Sequence, residues 1–595
     1  MSAFAVLYSQ ENTLNNASAF PNIMQRLSHR GADGSGEWRA KDVYMGHRRL
    51  WTTPEEIGEQ QPLRLAGLPF TLVFDGRLDN RQDIQRQLGE DSRASEANLS
   101  DAAIVLQAYA RWREDCFAKF IGEFALVIYD EERREILCAR DPLGDRTLYY
   151  AKRGAQVAAA SEAWAAAANL NDSSINERAA AHYFALQVPP DGQTLFNNVF
   201  ELPPAHWMKI NKMGQRIQRY WQPDPQKKIR YKTDKEYADH FYALLKESVH
   251  CRMRSATPIG AMMSGGLDST SVASLAAQEQ PLTAFSYVFD EVAECDERLY
   301  INAMQAQYRL RSIQMPCDDA YPYRNWRAWT RNPNLPEGNP YRLLKERAYR
   351  RAQEEGIRVL LTGGFGDHLY DGAEEWLADL LEDGHYAQAA RQMTQALKVF
   401  GLKSVLAAPS LRRTVKRAIK KRRRAPSKPA WLTPLAASYL QNEAPQEEAF
   451  ASKSNLLGLL VSQSGTGDCF SASRFQVELR HPYRDRRLVE FMLALPAYQL
   501  YYHGAYKHIL RNAMQGILPE TIRARKQPTS LMPLYLRGVR AEQETLRQEL
   551  QKKRWQTFIR KEWLETRWNV PPIKDGAAAL IPWLCFSYEA WLANQ

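Results

Sequence analysis

The chain has 595 residues, 45% of them hydrophobic and 25% charged, with a net charge of +11. That length is too great for one core and calls for at least two domains. No apolar run approaches the ~20 residues that span a bilayer, and the start lacks a basic stretch followed by an apolar core, so neither a membrane span nor a signal peptide is expected. The seven cysteines are scattered, with no C-x-x-C pair, which argues against a zinc site or a disulfide framework and fits a reducing cytoplasm.

Residues 1–215 read as short strands broken by turn signals: "FAVLYS", "VYMGHRRLW", "FTLVFDG", "FALVIYD" and "EILCARD". With a few helices, such as "SDAAIVLQAYARW", they predict a mostly antiparallel sheet domain. "YWQPDPQKK" (220–228) is a turn-rich linker. Beyond it helix and strand signals alternate. "ADHFYALLKESVHCRM", "STSVASLAAQ", "ERLYINAMQAQYR" and "YRLLKERAYRRAQEE" read as helices; "IGAMM", "LTAFSYVF", "RSIQM" and "IRVLLTGG" read as strands. This is the pattern of a parallel sheet with crossover helices. From about Leu432 the chain looks mainly helical.

"MMSGGLDSTSVASLA" (262–276) places a glycine turn and a hydroxyl-rich helix start after an apolar strand. Gly265 and Gly266 let the backbone approach a ligand closely. Free N–H groups at the helix start, with the hydroxyls of Ser264, Ser269 and Thr270, favour a phosphate. No Gly-Lys-Ser/Thr follows, so it is not the Walker pattern. The string Ser264-Gly265-Gly266-Leu267-Asp268-Ser269 resembles the pyrophosphate loop of enzymes that cut ATP to AMP and pyrophosphate. A simple capped Gly-Gly turn is the competing reading, and six matching residues weigh against it. "LLTGGFGDHLYDG" (360–372) repeats the arrangement with Gly363, Gly364, Asp367 and His368. Two strand ends, each offering an aspartate (Asp268, Asp367), suit a phosphate-bound Mg²⁺. The run 412–428, "RRTVKRAIKKRRRAPSK", carries ten Lys/Arg and no acid. It reads first as a solvated face. It could also hold an acidic peptide or surface, but without interleaved aromatics nucleic acid is not preferred.

Together these blocks resemble the asparagine-synthetase family over nearly the whole chain. "HRGADGSGEW", "MGHRRLW", "QQPL", "FDGRLDNRQDI", "GEFALVIYD" and "RDPLGDRTLYYA" match in order, followed by "SGGLDST", "GGFGDHLY", "VELRHPYRDRRLVEF", "YKHILRNAM" and "LPETIRARKQPTS". The resemblance implies an α/β multidomain protein. Its residues 1–215 would form a glutaminase-like, Ntn-hydrolase-type β-sandwich, and 229–595 an ATP-pyrophosphatase domain with a helical extension. It implies ATP and Mg²⁺ as cofactors, phosphates on Ser264–Thr270 and Gly363–Gly364, and metal on Asp268 and Asp367. It also implies Lys526 at the developing charge, Glu478 and Asp485 on the acyl-acceptor side, and Val288 near the adenine. Salt bridges to Arg480 or Arg484 are an equal reading of Glu478.

The sequence departs from the family in three places. Family glutaminases use a cysteine nucleophile whose amine is the base; position 2 here is Ser2. The family's Asn-Gly oxyanion donor is Asp75-Gly76, and a carboxylate there repels the developing charge; losing one such donor costs roughly a hundredfold or more. Arg49 and Asp101, at glutamine-holding positions, remain. The acids flanking Asp367 are replaced by Gly364 and His368, and "Gly-Asp-His" resembles the lasso peptide cyclases, which close a peptide's side-chain carboxylate onto its own N-terminal amine. The expectation is therefore a cytoplasmic AMP-forming ligase acting on a precursor peptide, with a leader peptidase and a leader-recognition protein as partners. Ammonia-dependent asparagine synthesis, β-lactam synthesis and a non-catalytic scaffold are the alternatives.

Overall fold

The structure, a computed structural model, describes residues 1–11, 13–14, 17–89, 99–370, 376–382, 384–407, 428–440, 453, 456, 458, 460, 466–502, 505–567 and 579–593. The basic run lies outside them except for Lys428.

The N-terminal half is two stacked antiparallel sheets. One joins β1 (Ala3–Ser9), β2 (Gly34–Arg39), β3 (Val43–Arg49), β8 (Tyr149–Arg153), β9 (Gln156–Ala160) and β10 (Val199–Glu201) in the order β10-β8-β9-β1-β3-β2. The other joins β4 (Leu63–Arg64), β5 (Phe70–Leu78), β6 (Gly122–Asp130), β7 (Glu135–Arg140), β11 (His206–Asn211) and β12 (Gly214–Arg219) in the order β12-β11-β7-β6-β5-β4. Strand alternation makes the layers. Phe4, Val6 and Tyr8 of β1 face the other sheet and share a core with Val73 and Val127. Ala3, Ala5 and Leu7 point away, beneath the short helices at 20–26 and 163–169. Phe70, Leu72 and Phe74 pack on the outer side under the helix Asp101–Trp112. This is the expected sandwich, built from residues of period two.

The second half holds a parallel sheet in the order β15-β14-β13-β16-β17. Its strands are β13 (Ile259–Met262), β14 (Thr283–Val288), β15 (Arg311–Pro316), β16 (Val359–Leu361) and β17 (Glu478–Arg480). Ala261, Ala284 and Leu361 meet the helices Asp234–Arg252 and Leu267–Ala277 on one face. Phe285 and Leu360 meet the helix Arg342–Glu354 on the other. Strand β17 lies inside the portion expected to be helical. Three residues of sequence Glu-Leu-Arg carry no strand signal; they form one by pairing in parallel with β16, Glu478 opposite Val359 and Arg480 opposite Leu361, and the two buried charges meet at 2.7 Å. The C-terminal helix Ile581–Leu592 returns to the first half, where Tyr588 stacks edge-on to Phe184 at 5.1 Å. One apolar core thus runs through both halves.

Candidate active site

Strand β13 delivers the loop 264–266 to the start of the helix Leu267–Ala277. That helix begins at Gly266 with no side-chain cap, so its first N–H groups are left for a ligand. The hydroxyl of Ser264 contacts that of Ser269 at 2.9 Å, and Thr270 bonds back to the Gly266 carbonyl at 2.7 Å. Strand β16 delivers the second loop beside it. A Cβ on Gly363 would fall 2.6 Å from the Ser269 nitrogen, and one on Gly366 2.5 Å from Asp268 Cγ. Only glycines let the two loops lie against each other. Gly364 carries His481 in the same way, its would-be Cβ 2.8 Å from the imidazole. Phe365 takes φ +72°, a conformation that a bulky side chain adopts only under constraint.

Between the loops Lys507 Nζ donates to Asp268 Oδ2 at 2.5 Å and to Asp367 Oδ1 at 2.6 Å. Sequence reasoning missed Lys507 although its block, "YKHILRNAM", had been matched; a lysine preceding a helix carries no spacing signal of its own. Its φ of +60° marks a second constrained backbone position. Asp268 is buried and Asp367 exposed. Burial is the main influence on the Asp268 carboxyl, raising it to about 6. Asp268 Oδ1 has no hydrogen-bond partner among the described residues. Two carboxylates converging on one cation, one with a spare oxygen, fit a magnesium ion that takes its remaining ligands from phosphate and water.

The other expected site residues are placed as follows. Lys526 is exposed, and its neighbour Arg525 reaches the loop 264–266 instead, donating to the Gly265 carbonyl at 2.8 Å. Val288 ends β14 inside the core. Glu478 lies 2.8 Å from Arg146 Nη2 and 3.6 Å from Arg77 Nη1, besides Arg480. Asp485 caps the helix Arg486–Ala494 and pairs with Arg252 at 3.0 Å and Arg487 at 2.7 Å.

These pairs belong to a buried network between the halves. Arg77 bonds Asp79 at 2.8 Å and Glu123 at 2.9 Å; Arg252 lies 3.4 Å from Asp79 and 3.6 Å from Glu123. Asp79, Cys251 and Asp485 could hold a metal by distance alone, but these arginines already neutralise the carboxylates, so they carry no metal here. Asp75 belongs to the same network, 3.4 Å from Arg30 and 3.8 Å from Arg146. The residue that replaces an oxyanion donor is an ion-pair partner.

Around Ser2 little space is left. Its hydroxyl accepts the Leu50 N–H at 3.0 Å, and the cavity it shares with Arg49, Glu56, Glu59, Gln61 and Asp75 measures about 20 Å³. That is room for a water molecule and not for an amino acid. Asp101 is bonded by Arg81 at 3.0 Å and by Arg254 from the second half. Arg49 donates to Gln60 at 2.5 Å.

A glutamine amidotransferase domain model matches residues 1–221, and an asparagine synthase model matches 240–593. Glutamine-hydrolyzing asparagine synthetase 3 of Bacillus subtilis is 25% identical over 564 residues, 88% of this chain and 86% of its own. Asparagine synthetase 1 of the same organism is 30% identical over 271 residues, 45% of this chain and 42% of its own. Among solved structures, glutamine phosphoribosylpyrophosphate amidotransferase from B. subtilis is 17% identical with a TM-score of 0.27, covering 48% of this chain and 65% of that one. With more than half its length matched by one model, the chain belongs to the asparagine synthase family.

Proposed function

We propose that the protein is an ATP-dependent, AMP-forming amide ligase that takes its amine from the substrate itself, closing a precursor peptide into a lasso-type macrolactam. One observation carries this reading: the two ends of the family's chemistry are treated differently. The loops around Asp268 and Asp367 keep an open, anion-seeking helix start, whereas the space beside Ser2 is about 20 Å³ and its acidic anchor Asp101 is consumed by Arg254. On this reading nucleotide binds and glutamine does not.

Ser264–Thr270 would seat the ATP phosphates. Asp268 and Asp367 would hold Mg²⁺, which screens the charge of the departing pyrophosphate. A side-chain carboxylate oxygen of the peptide attacks the α-phosphorus, the bond to the β-phosphate breaks, and an acyl-adenylate forms. Lys507, released from the aspartates, faces the charge on the α-phosphate. The peptide's N-terminal amine attacks the acyl carbon, AMP leaves, and the amine loses a proton. Holding both ends of one peptide together gives that amine a high effective concentration.

The partners of this reading are the precursor peptide and, in the cytoplasm, a leader peptidase and a leader-recognition protein. No helix among the described residues is long and apolar enough to cross a membrane. The test is mass spectrometry of a precursor peptide incubated with this protein, the peptidase and Mg-ATP. Loss of one water, with AMP and pyrophosphate released, is expected. Asparagine formed from aspartate and ammonia, with no change in any peptide, would overturn the macrolactam in favour of the activity named in its relatives. Absence of nucleotide binding would leave a scaffold.

A further inference from the structure

Ahead of the open helix start, the N–H groups of residues 264–266 are engaged. Ser264 N donates to Ser269 Oγ at 3.1 Å and Gly266 N to Ser264 Oγ at 3.1 Å, both within the loop motif itself. Gly265 N is different: it donates to the Glu297 carboxylate at 2.9 Å. The other Glu297 oxygen takes Arg525 Nη1 at 2.8 Å, and the same nitrogen reaches the Gly265 carbonyl at 2.8 Å. Arg525 lies over the Tyr300 ring, 4.2 Å from its centre, and its Nε is tied to the Gln527 carbonyl at 2.9 Å. Both side chains are largely buried, at 9% and 16% exposure. A Cβ on Gly265 would lie 2.8 Å from Tyr300 and 3.0 Å from Arg525 Nη1, so the approach of this guanidinium requires the glycine.

An N–H of a glycine loop and a guanidinium are the partners that a phosphate oxygen seeks. Here a carboxylate has both. We infer that Glu297 holds the place of a phosphate oxygen in the nucleotide-free protein, and that Arg525 is a phosphate-binding residue which exchanges Glu297 for the triphosphate. The inference rests on the nucleotide reading of this loop. On binding, Gly265 N–H and Arg525 turn to the phosphate while the stacking on Tyr300 and the Gln527 bond keep the guanidinium in place. Glu297, freed, repels the triphosphate. Its return after adenylation pushes pyrophosphate out. Glu297 therefore sets a threshold against nucleotide and speeds product release.

The two residues then act in opposite directions, which a mere brace of the loop would not do. Glu297→Gln keeps an oxygen for Gly265 N–H and removes the charge; Arg525→Met removes the phosphate contact. Binding of inorganic pyrophosphate and of Mg-ATP is measured by calorimetry on each full-length variant, beside wild type. Glu297→Gln should bind pyrophosphate about tenfold tighter and be inhibited by it at lower concentration. Arg525→Met should bind it about tenfold more weakly, the scale of one charged hydrogen bond. Weaker or unchanged binding by Glu297→Gln overturns the inference and leaves a structural brace. Should Arg525→Met not fold, as judged by its melting temperature, Glu297→Gln decides alone. Wild type that binds neither pyrophosphate nor ATP defeats the nucleotide reading itself; wild type that binds both while Glu297→Gln fails to tighten defeats only the exchange.

Discussion

Lys507 Nζ stands within 2.6 Å of both Asp268 and Asp367, joining the two strand ends through one ammonium. The cation occupies the centre where two carboxylates converge, and its own backbone is held at positive φ to put it there. Mg-ATP brings both a second cation and a reason for the first to move toward phosphate. Lys507→Met should lower AMP formation roughly a hundredfold or more, the scale of one lost electrostatic contact to a transition state. Asp268→Asn and Asp367→Asn should each abolish AMP formation while the fold persists. Chromatographic assay of AMP, with circular dichroism as a control, checks all three. Full activity in any one removes that residue from the site.

Glutamine should be inert toward this protein. Ser2 has neither a thiolate nor room for the substrate, and Asp75 is committed to Arg30 and Arg146. Calorimetry should detect no glutamine binding at millimolar concentration. Restoring the family residues at both positions, Ser2→Cys with Asp75→Asn, should still give no glutaminase, because Arg254 continues to block Asp101. Glutamate released in step with ATP consumption would sink this reading.

The buried network between the halves predicts acid lability. Burial opposes the charge of Glu162, yet His29 at 2.7 Å and Arg30 prevail and hold it at about 2. Glu123 is likewise held at about 2, by Arg77, Arg146 and Arg252 against burial. A depressed carboxyl stabilises the fold above its unfolded value, and that stability is lost as pH falls through the range from about 4.5 to 2. For Glu162 alone the shift corresponds to about 3 kcal/mol. Glu56, pushed up to about 8 by burial, works in the opposite sense. It does so only above its unfolded value, so it is silent below pH 4. Tryptophan fluorescence should therefore report loss of structure setting in below about pH 4.5. Glu162→Gln should lower stability at pH 7 and flatten the acid limb. A profile unchanged by that variant would deny the pair its weight.

Much of this was legible in the sequence because it rests on local pattern. Short apolar strands such as "FALVIYD", bounded by turn signals, and the order of helix and strand after residue 229 point to the two layered halves; "FALVIYD" is apolar up to its closing aspartate because it is buried on both faces. The glycines of "SGGLDS" point to a close approach of the backbone to a ligand; the loop-to-loop approach that the structure shows is made by Gly363 and Gly366 of the second loop, while Gly265 lies against Tyr300 and Arg525. What was hidden depends on contacts distant in sequence. Lys507 meets Asp268 across 239 residues and Arg146 meets Glu478 across the domain boundary. Strand β17 is three residues long and two of them are charged, so its identity comes from partners rather than propensity. Arg525 and Lys526 are equivalent as composition; only the fold shows which one reaches the loop.

Glu478 separates a chemical role from a structural one. Its carboxylate serves Arg146 at 2.8 Å, Arg480 at 2.7 Å and Arg77 at 3.6 Å, all nearly or fully buried. These arginines hold it well below the usual carboxylate range although burial works against them, so it is a poor proton acceptor for an incoming amine. Glu478→Gln takes from Arg480 its ion-pair partner and from Arg146 and Arg77 one of several, and breaking a buried pair in this way costs about 3–5 kcal/mol. A clear drop in melting temperature is expected. AMP formed per folded molecule should change little at a temperature where the variant remains folded. Adding Arg146→Met to Glu478→Gln removes one of the cations left in excess and should recover part of the lost stability, since the two residues share one interaction. Rate and folded fraction are measured together, by AMP release and by circular dichroism at the same temperature. If the rate falls a hundredfold while the fold is intact, Glu478 acts on the acceptor amine and the network is its support rather than its purpose.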